Sequence, residues 1–297
     1  MGRPNAIPDT AASVTPVEVQ VAIARLHDLP ASAPIVQKAL AQLESPEFVV
    51  TEVKKTLLSD SALAARVLRL ANSAYFGFRS EVHTISQAIV LLGPRRIRTL
   101  LQRILADKIL AELAAGRPDA APVQRMSLAT ATASCTLSQL LLREDAEEML
   151  LGGLLHNIGE LFLLSQFSAE YLRARRLAEE LGEKEAAQAV FGVTPSQAGR
   201  QLLERWNFPP LYRVVVEHID EPLAANYPPG FTVAVALVHS AKKLAGAFVA
   251  GLEVAEAVAR VWPQVCHLLG LDADLLTEVY QTLSPRMSLE QLQAGRR

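Results

Sequence analysis

Apolar residues recur along this chain at helical spacing and almost nowhere at the alternating spacing of strands. Ile97, Leu100, Leu101, Ile104 and Leu105, for example, lie at positions i, i+3, i+4, i+7 and i+8. This period places apolar side chains along one face of a helix. Half of the residues are hydrophobic, and Leu and Ala, which favour helix, dominate among them. The pattern therefore predicts an all-α protein.

Capping and breaking residues predict where these helices begin and end. Pro34 opens a helix that runs to Glu44, and Asp60 caps the next one. Thr84 caps a short helix that Gly93-Pro94 ends, and another helix starts there. Further helices are predicted over roughly 122–143, 146–164, 168–181, 195–206 and 209–218, and three or four more reach about residue 283.

The breaks between helices predict four segments. Residues 1–16 are rich in proline and small polar residues, which indicates a mobile tail. Residues 17–116 form an N-terminal helical sub-bundle, and a Gly-Arg-Pro-Asp break separates it from a second sub-bundle over 117–222. The helices of 223–297 are expected to pack on the second sub-bundle.

The composition indicates a soluble, cytoplasmic protein. The first residues lack the apolar core of a secretory signal. The apolar stretch from Phe231 to Val254 is interrupted by a histidine and two lysines, which argues against a membrane span. Cys135 and Cys266 have no metal-site or redox spacing, so we expect buried thiols in a reducing compartment.

Positive charge is concentrated in the first sub-bundle. Between Lys54 and Lys108 the chain carries ten basic residues against three acidic ones, although the formal net charge of the whole chain is -2. Arg95, Arg96 and Arg98 lie at the start of a helix, whose free N–H groups also attract anions. These three arginines are candidates for binding an anion or an acidic partner, and the alternative is a solvated charged face.

Several motifs, taken together, resemble the HDOD family, the HD-related output domains of bacterial signalling proteins. The resemblance is carried by Leu29-Pro30 with Pro34, by Leu58–Gly77 and by Ile85–Leu101. It continues through LLHNIGEL, ERWNFPP and Glu217-His218, so that it covers about 25–222. Within it, the family positions Asp60, Asn72, Ser73 and Gly93 are expected to be structural, because they can cap or end helices. The resemblance implies two packed sub-bundles, the second similar to an HD domain.

His156-Asn157 resembles the His-Asp dyad of HD-type metal phosphohydrolases, with an amide where the acid belongs. Aligned by this resemblance, the other ligand positions fall near Ser127, Pro195 and Lys242. A divalent ion that activates water against phosphate needs several ligands and net negative charge. These residues predict a degenerate site with no metal and no cofactor. His156 is expected to be a hydrogen-bonded histidine, with Glu160 one helical turn away.

Three functions remain open from the sequence. The first is a non-catalytic signalling module that binds a protein or a nucleotide partner, in processes such as cyclic-dinucleotide signalling, motility or biofilm behaviour that the resemblance implies. The second is a residual metal-dependent phosphohydrolase or phosphodiesterase. The third is a nucleotide or nucleic-acid binder that uses the basic sub-bundle, although few aromatic residues are available to stack on bases.

Overall fold

A computed structural model describes residues 14–26, 33–73, 76 and 81–283 of the chain. Every regular element among these residues is helical and none is a strand, which confirms the all-α prediction. The first half contains α1 (Pro16–Arg25), α2 (Ala33–Glu44), α3 (Val50–Leu58), α4 (Ser61–Ala71), α5 (Ile85–Ala114), α6 (Ala121–Leu141), α7 (Ala146–Leu155) and α8 (Ile158–Gln166). The second half contains α9 (Ser168–Leu181), α10 (Glu183–Phe191), α11 (Pro195–Arg205), α12 (Pro210–His218), α13 (Thr232–Val249), α14 (Val254–Ala259), α15 (Pro263–Leu269) and α16 (Ala273–Gln281). Short 3₁₀ helices occur at Pro118–Ala120 and Pro229–Phe231.

Side-chain caps hold several helix starts where the sequence predicted them. The Asp60 carboxylate accepts a hydrogen bond from Leu63 N at 3.0 Å, and Thr84 forms a capping box at the start of α5. The predicted tail is one or two residues too long. Thr15 caps α1 and Pro16 is its first residue, while residues 1–13 lie outside the described part of the chain.

Gly93 interrupts the helical backbone inside α5, as predicted. Its φ of 74° and ψ of 166° lie in a region that residues with a Cβ rarely adopt. Nothing lies within 4 Å of the place where a Cβ would be, so the backbone conformation, and not space, is what requires glycine. Pro94 then begins the long second part of the helix.

Two helical predictions are wrong in detail. The predicted single helix 146–164 is two helices, because His156 and Asn157 form a turn between α7 and α8. The helix α10 was not predicted; it has nine residues and lies between Gly182 and Gly192, both of which have positive φ. This helix buries only a short group of apolar side chains, too few for a clear periodic signal.

The apolar side chains form two cores. The larger core joins α1–α12, so the first two predicted sub-bundles share it across the boundary at residue 116. The smaller core joins α6, α7 and α12 to the C-terminal helices α13–α16. Cys135 packs against the larger core and Cys266 against the smaller one, both as free thiols.

Helix α13 is the centre of the smaller core. Together with the 3₁₀ turn before it, it forms the segment Pro229–Val249, which by length and composition alone could cross a membrane. Most of this segment is buried inside the protein, however, and Leu237 and Leu244 are fully buried. Its apolar surface is therefore used within the fold, which is consistent with a soluble protein.

Asn72 joins the end of α4 to Val82, two residues before the α5 cap. Its amide nitrogen donates to Leu68 O at 3.0 Å and to Val82 O at 2.8 Å, and its amide oxygen accepts from Val82 N at 2.7 Å. Its φ is −87°, so it does not end the helix in the left-handed conformation that asparagine tolerates. The side chain, rather than the backbone, makes the connection.

We expect Asn72→Ala to lower the free energy of unfolding by about 2–3 kcal/mol. The substitution removes three hydrogen bonds, each of which contributes about 1 kcal/mol, and leaves the largely buried backbone groups of Val82 without partners. Urea unfolding followed by circular dichroism measures the change. Asn226→Ala is the matched control, because Asn226 is an exposed loop residue and should change stability by less than about 0.5 kcal/mol. Equal stability of the two variants would contradict the structural role of Asn72.

Candidate functional site

Ser127 and Asn157, two positions of the predicted degenerate metal site, contact each other. The Ser127 hydroxyl donates to the Asn157 amide oxygen at 2.5 Å, and the Asn157 amide nitrogen donates to Val123 O at 2.9 Å. Both side chains are buried, between α6 and the start of α8. The Asn157 amide thus accepts one hydrogen bond and donates another within the protein. An aspartate carboxylate at this position would have no N–H to donate.

His156 is buried at the end of α7 and hydrogen-bonded to its own helix. Its Nδ1 lies 2.7 Å from Gly153 O, so this nitrogen carries the proton and donates. Burial, together with the nearby positive charge of Lys242, lowers the pKa of His156 to about 3, and the ring is therefore neutral at physiological pH. Glu160 is not its partner, because the turn at residues 156–157 breaks the helical spacing. Glu160 instead accepts a hydrogen bond from the Tyr171 hydroxyl at 2.6 Å.

Lys242 pairs with an aspartate that the sequence analysis missed. Its Nζ lies 2.6 Å from the Asp220 carboxylate, which follows the end of α12. Burial alone would raise the pKa of Asp220, but the charge and hydrogen bond of Lys242, together with His156 and Lys243, lower it. The Lys242 ammonium thus places a positive charge near His156 and Asp220. The only sequence signal was an acidic pair, Asp220-Glu221, just after a predicted helix.

His239, one helical turn before Lys242, is also directed inward. Its Nδ1 lies 2.6 Å from Ile219 O, and its ring meets the Trp262 ring edge-on with centroids 4.7 Å apart. Burial lowers the pKa of His239, so this ring too is neutral at physiological pH. It is a histidine held in the smaller core rather than a member of a cluster of ligands.

Pro195 lies where α11 crosses the start of α8. Thr194 caps α11 and Pro195 is its first residue, as predicted. A Cβ on Gly159 would overlap the Pro195 carbonyl oxygen and come within 2.5 Å of Gly199 N, so the two backbones touch. Pro195 therefore supplies a close backbone contact and no side-chain ligand.

The residues at these positions do not fit a divalent metal. Among the described residues, no group of three or more His, Cys, Asp or Glu side chains is placed to hold an ion. Ser127 and Asn157 are neutral and satisfied by each other, Pro195 has no donor atom, and Lys242 repels a cation. Asp220 is the nearby acid, and its charge is already balanced by Lys242.

The three arginines at the start of the second part of α5 lie in different surroundings. Arg95 is exposed but bound by Glu148, with contacts of 3.2 Å to both carboxylate oxygens. Arg96 is exposed and lies over the Phe76 ring, 5.9 Å from its centroid. Arg98 is half-buried and lines a cleft. Arg98 is therefore not part of a fully solvated face, and Arg95 is already paired.

Two further basic residues of this region form ion pairs inside the protein. Arg66 lies 2.6 Å from Asp107, and Arg103 lies 3.1 Å from Glu147, with both side chains of the second pair almost completely buried. Part of the predicted positive face is thus neutralised by internal partners. The sequence counts of charge cannot reveal this, because Glu147 and Glu148 come from α7, about fifty residues later.

The family positions Asp60, Asn72, Ser73 and Gly93 all lie at helix ends. Asp60 caps α4, and Gly93 breaks α5. Ser73 is buried and takes part through its backbone, since its N–H donates to Leu70 O and its carbonyl accepts from Phe76 N. The Leu29-Pro30 pair of the same motif lies outside the described residues.

A family profile and a sequence relative both match a large part of this chain. The HDOD domain profile matches residues 29–222. An uncharacterized protein of Treponema pallidum (strain Nichols) is 26% identical over 208 residues, which are 67% of this chain and only 39% of that longer protein.

Solved structures share the fold. A candidate phosphohydrolase of Shewanella amazonensis SB2B has a TM-score of 0.66 at 24% identity, and the match covers 89% of this chain and 93% of that one. An HDOD domain protein of Geobacter sulfurreducens with unknown function has a TM-score of 0.64 at 20% identity, covering 90% and 93%. A candidate signal transduction protein of Marinobacter aquaeolei VT8 has a TM-score of 0.57 at 21% identity, covering 89% and 61%. Since the domain profile matches well over half of the chain, the protein belongs to the HDOD family.

Proposed function

We propose that this protein is a non-catalytic HDOD signalling module that acts in the bacterial cytoplasm as a helical scaffold for a protein or nucleotide partner. The observation that carries the proposal is the hydrogen bond between Ser127 and Asn157. It satisfies, with neutral groups, two positions at which an active HD site needs metal ligands. The resemblance of the fold to a candidate signal transduction protein supports a signalling role.

The charges near His156 support the same proposal. Phosphate hydrolysis by a bound metal requires that the protein attract a divalent cation and hold a water for attack. Here the Lys242 ammonium lies near His156 and is already bound to Asp220. A cation would have to displace this ammonium before it could use either residue. We therefore place residual phosphohydrolase activity second, even though one structural relative is described as a candidate phosphohydrolase.

We expect the purified protein to carry no stoichiometric iron, manganese or zinc and to hydrolyse neither cyclic dinucleotides nor nucleotide monophosphates. Elemental analysis and product chromatography measure the two properties, with an active HD phosphohydrolase as the positive control. One metal per chain, with hydrolysis that is lost on chelation, would contradict the proposal.

Asn157→Asp should not restore metal binding or activity, because Lys242, Ser127 and Pro195 remain. We expect it to lower stability instead, by about 1–3 kcal/mol, since a buried carboxylate loses the hydrogen bond to Val123 O and faces that carbonyl. Thermal unfolding and elemental analysis of the same sample test both parts. Metal uptake by this single variant would show that the site retains the remaining ligands.

A further inference from the structure

A cleft lies at the junction of α5, the start of α7, the start of α12 and the turn before α13, and we call it the junction cleft. Its volume is about 300 Å³, at the lower end of the range of small-molecule sites. The residues that line it include Arg98, Gln102, Glu144, Glu148, Tyr212 and Phe231. None of them belongs to the degenerate metal site.

Two polar side chains in the junction cleft are almost completely buried and lack protein partners. Gln102 is 4% exposed and Tyr212 is 1% exposed. No described residue makes a hydrogen bond to the Gln102 amide or the Tyr212 hydroxyl, yet both residues line the cleft. The polar ends of both side chains keep some access to the cleft and are free to accept or donate hydrogen bonds there. These groups are therefore placed to bond something that enters the cleft.

Two charges of opposite sign in the junction cleft are also left without ion pairs. Arg98 and Glu144 are both half-buried, and no described residue forms a salt bridge with either. Glu148 differs, because Arg95 binds its carboxylate. Burial, and then the neighbouring Glu148, raises the pKa of Glu144, although the charge of Arg95 opposes this effect.

The walls of the junction cleft offer an apolar surface beside these charges. Pro209 and Pro210 open α12 without a side-chain cap, and Leu211, Phe231 and Ala234 complete this side. An apolar wall with a few convergent polar groups is typical of sites for small molecules. An inorganic anion would use Arg98 but would lie close to two carboxylates, which disfavours it.

We propose that the junction cleft binds a small zwitterion of the amino-acid type, with its ammonium group beside Glu144 and its carboxylate beside Arg98 and Gln102. The apolar body of the ligand lies against Phe231 and Leu211. Such a molecule supplies a partner for Arg98, Glu144 and Gln102 and fits the volume. The walls come from parts of the chain before residue 116, between 117 and 222, and after 223, so one ligand contacts all three. This inference goes beyond the proposed function and does not depend on it.

Isothermal titration with L-phenylalanine and L-leucine tests the proposal on the full chain. We expect at least one of them to bind, and its Kd to weaken by about tenfold or more in Arg98→Met and in Glu144→Gln. Arg96→Met is the matched control, because Arg96 lies on the same helix but outside the cleft, and its Kd should equal that of the wild type. Gln102→Leu is a second variant with the same expected loss, and melting temperatures establish that each variant is folded.

Two analogues separate the charges of the ligand. Phenethylamine lacks the carboxylate and 3-phenylpropanoate lacks the ammonium group, so both should bind at least about tenfold more weakly than L-phenylalanine. The proposal is overturned if neither amino acid binds at about 10 mM, if 3-phenylpropanoate or inorganic phosphate binds as tightly as the amino acid, or if Arg96→Met weakens binding as much as Arg98→Met. None of these results bears on metal content or hydrolysis, so the proposed function is tested separately.

Discussion

Gly159→Ala is expected to lower the free energy of unfolding by about 3 kcal/mol or more, at or above the upper end of the usual cost of overpacking. The added Cβ would overlap the carbonyl oxygen of Pro195 and lie 2.5 Å from Gly199 N. Both are backbone atoms of α11, so no side chain can rotate away, and α8 and α11 must separate. Urea unfolding followed by circular dichroism measures the loss, and soluble yield records a variant that does not fold.

Gly246→Ala is the matched control for this substitution. Gly246 also lies within a helix, but the nearest atom to its new Cβ would be the end of the flexible Met126 side chain, at 3.5 Å. Since alanine favours helix over glycine, stability should be unchanged or rise by up to about 1 kcal/mol. If Gly159→Ala unfolds at the same urea concentration as Gly246→Ala, the close contact between α8 and α11 is not as tight as the structure places it.

Local features of this fold could be predicted from the sequence because their causes are local. The caps at Asp60 and Thr84 follow from side chains that accept bonds from N–H groups three residues later. The break at Gly93 follows from a glycine with positive φ before a proline. Each of these signals lies within a few neighbouring residues, and each was found.

The turn at residues 156–157 could not be predicted, because its cause lies in another helix. The apolar period continues through this segment and favours one helix from 146 to 164. Asn157 leaves the helix with its amide bound to Ser127 and to Val123 O, thirty or more residues earlier in the chain. A tertiary contact of this kind overrides the local pattern.

The candidate site was likewise predictable only in part from the sequence. The resemblance placed Ser127, His156, Asn157 and Lys242 in one region, and the hydrogen bonds and charges of the structure link them. It did not reveal Asp220, whose role depends on the packing of α12 against α13. The junction cleft was also invisible, since its walls come from segments more than a hundred residues apart.

The number of basic residues in the first sub-bundle does not show how many of them form ion pairs in the structure. Its excess of basic residues predicted a positive surface, but Arg66 and Arg103 are paired inside the protein, and Arg95 is paired at its surface. The acids that pair with Arg95 and Arg103 come from α7, so these charges connect α5 to α7. Breaking the buried pair of Arg103 and Glu147 is expected to lower the stability most.

Arg103→Met is expected to lower the free energy of unfolding by about 3–5 kcal/mol, because it leaves the buried Glu147 carboxylate without its cation. The loss should depend on pH. Burial raises the pKa of Glu147, while Arg103 opposes this effect, so removing Arg103 raises the pKa further. A carboxyl group whose pKa is higher in the folded state stabilises the protein at low pH, and that stability is lost as pH rises through the folded-state pKa. The difference between Arg103→Met and the wild type should therefore be smaller near pH 5 than near pH 8.

Two variants separate the pairing of charges from simple loss of packing. Arg95→Met removes an arginine that is 66% exposed, so breaking its pair with Glu148 should cost no more than about 1 kcal/mol. Arg103→Met combined with Glu147→Leu removes both buried charges and should recover most of the stability lost by Arg103→Met alone, with little pH dependence. Urea unfolding of all four proteins at both pH values measures these differences. A double variant as unstable as Arg103→Met would mean that the arginine acts through its packing in the core and not through its charge.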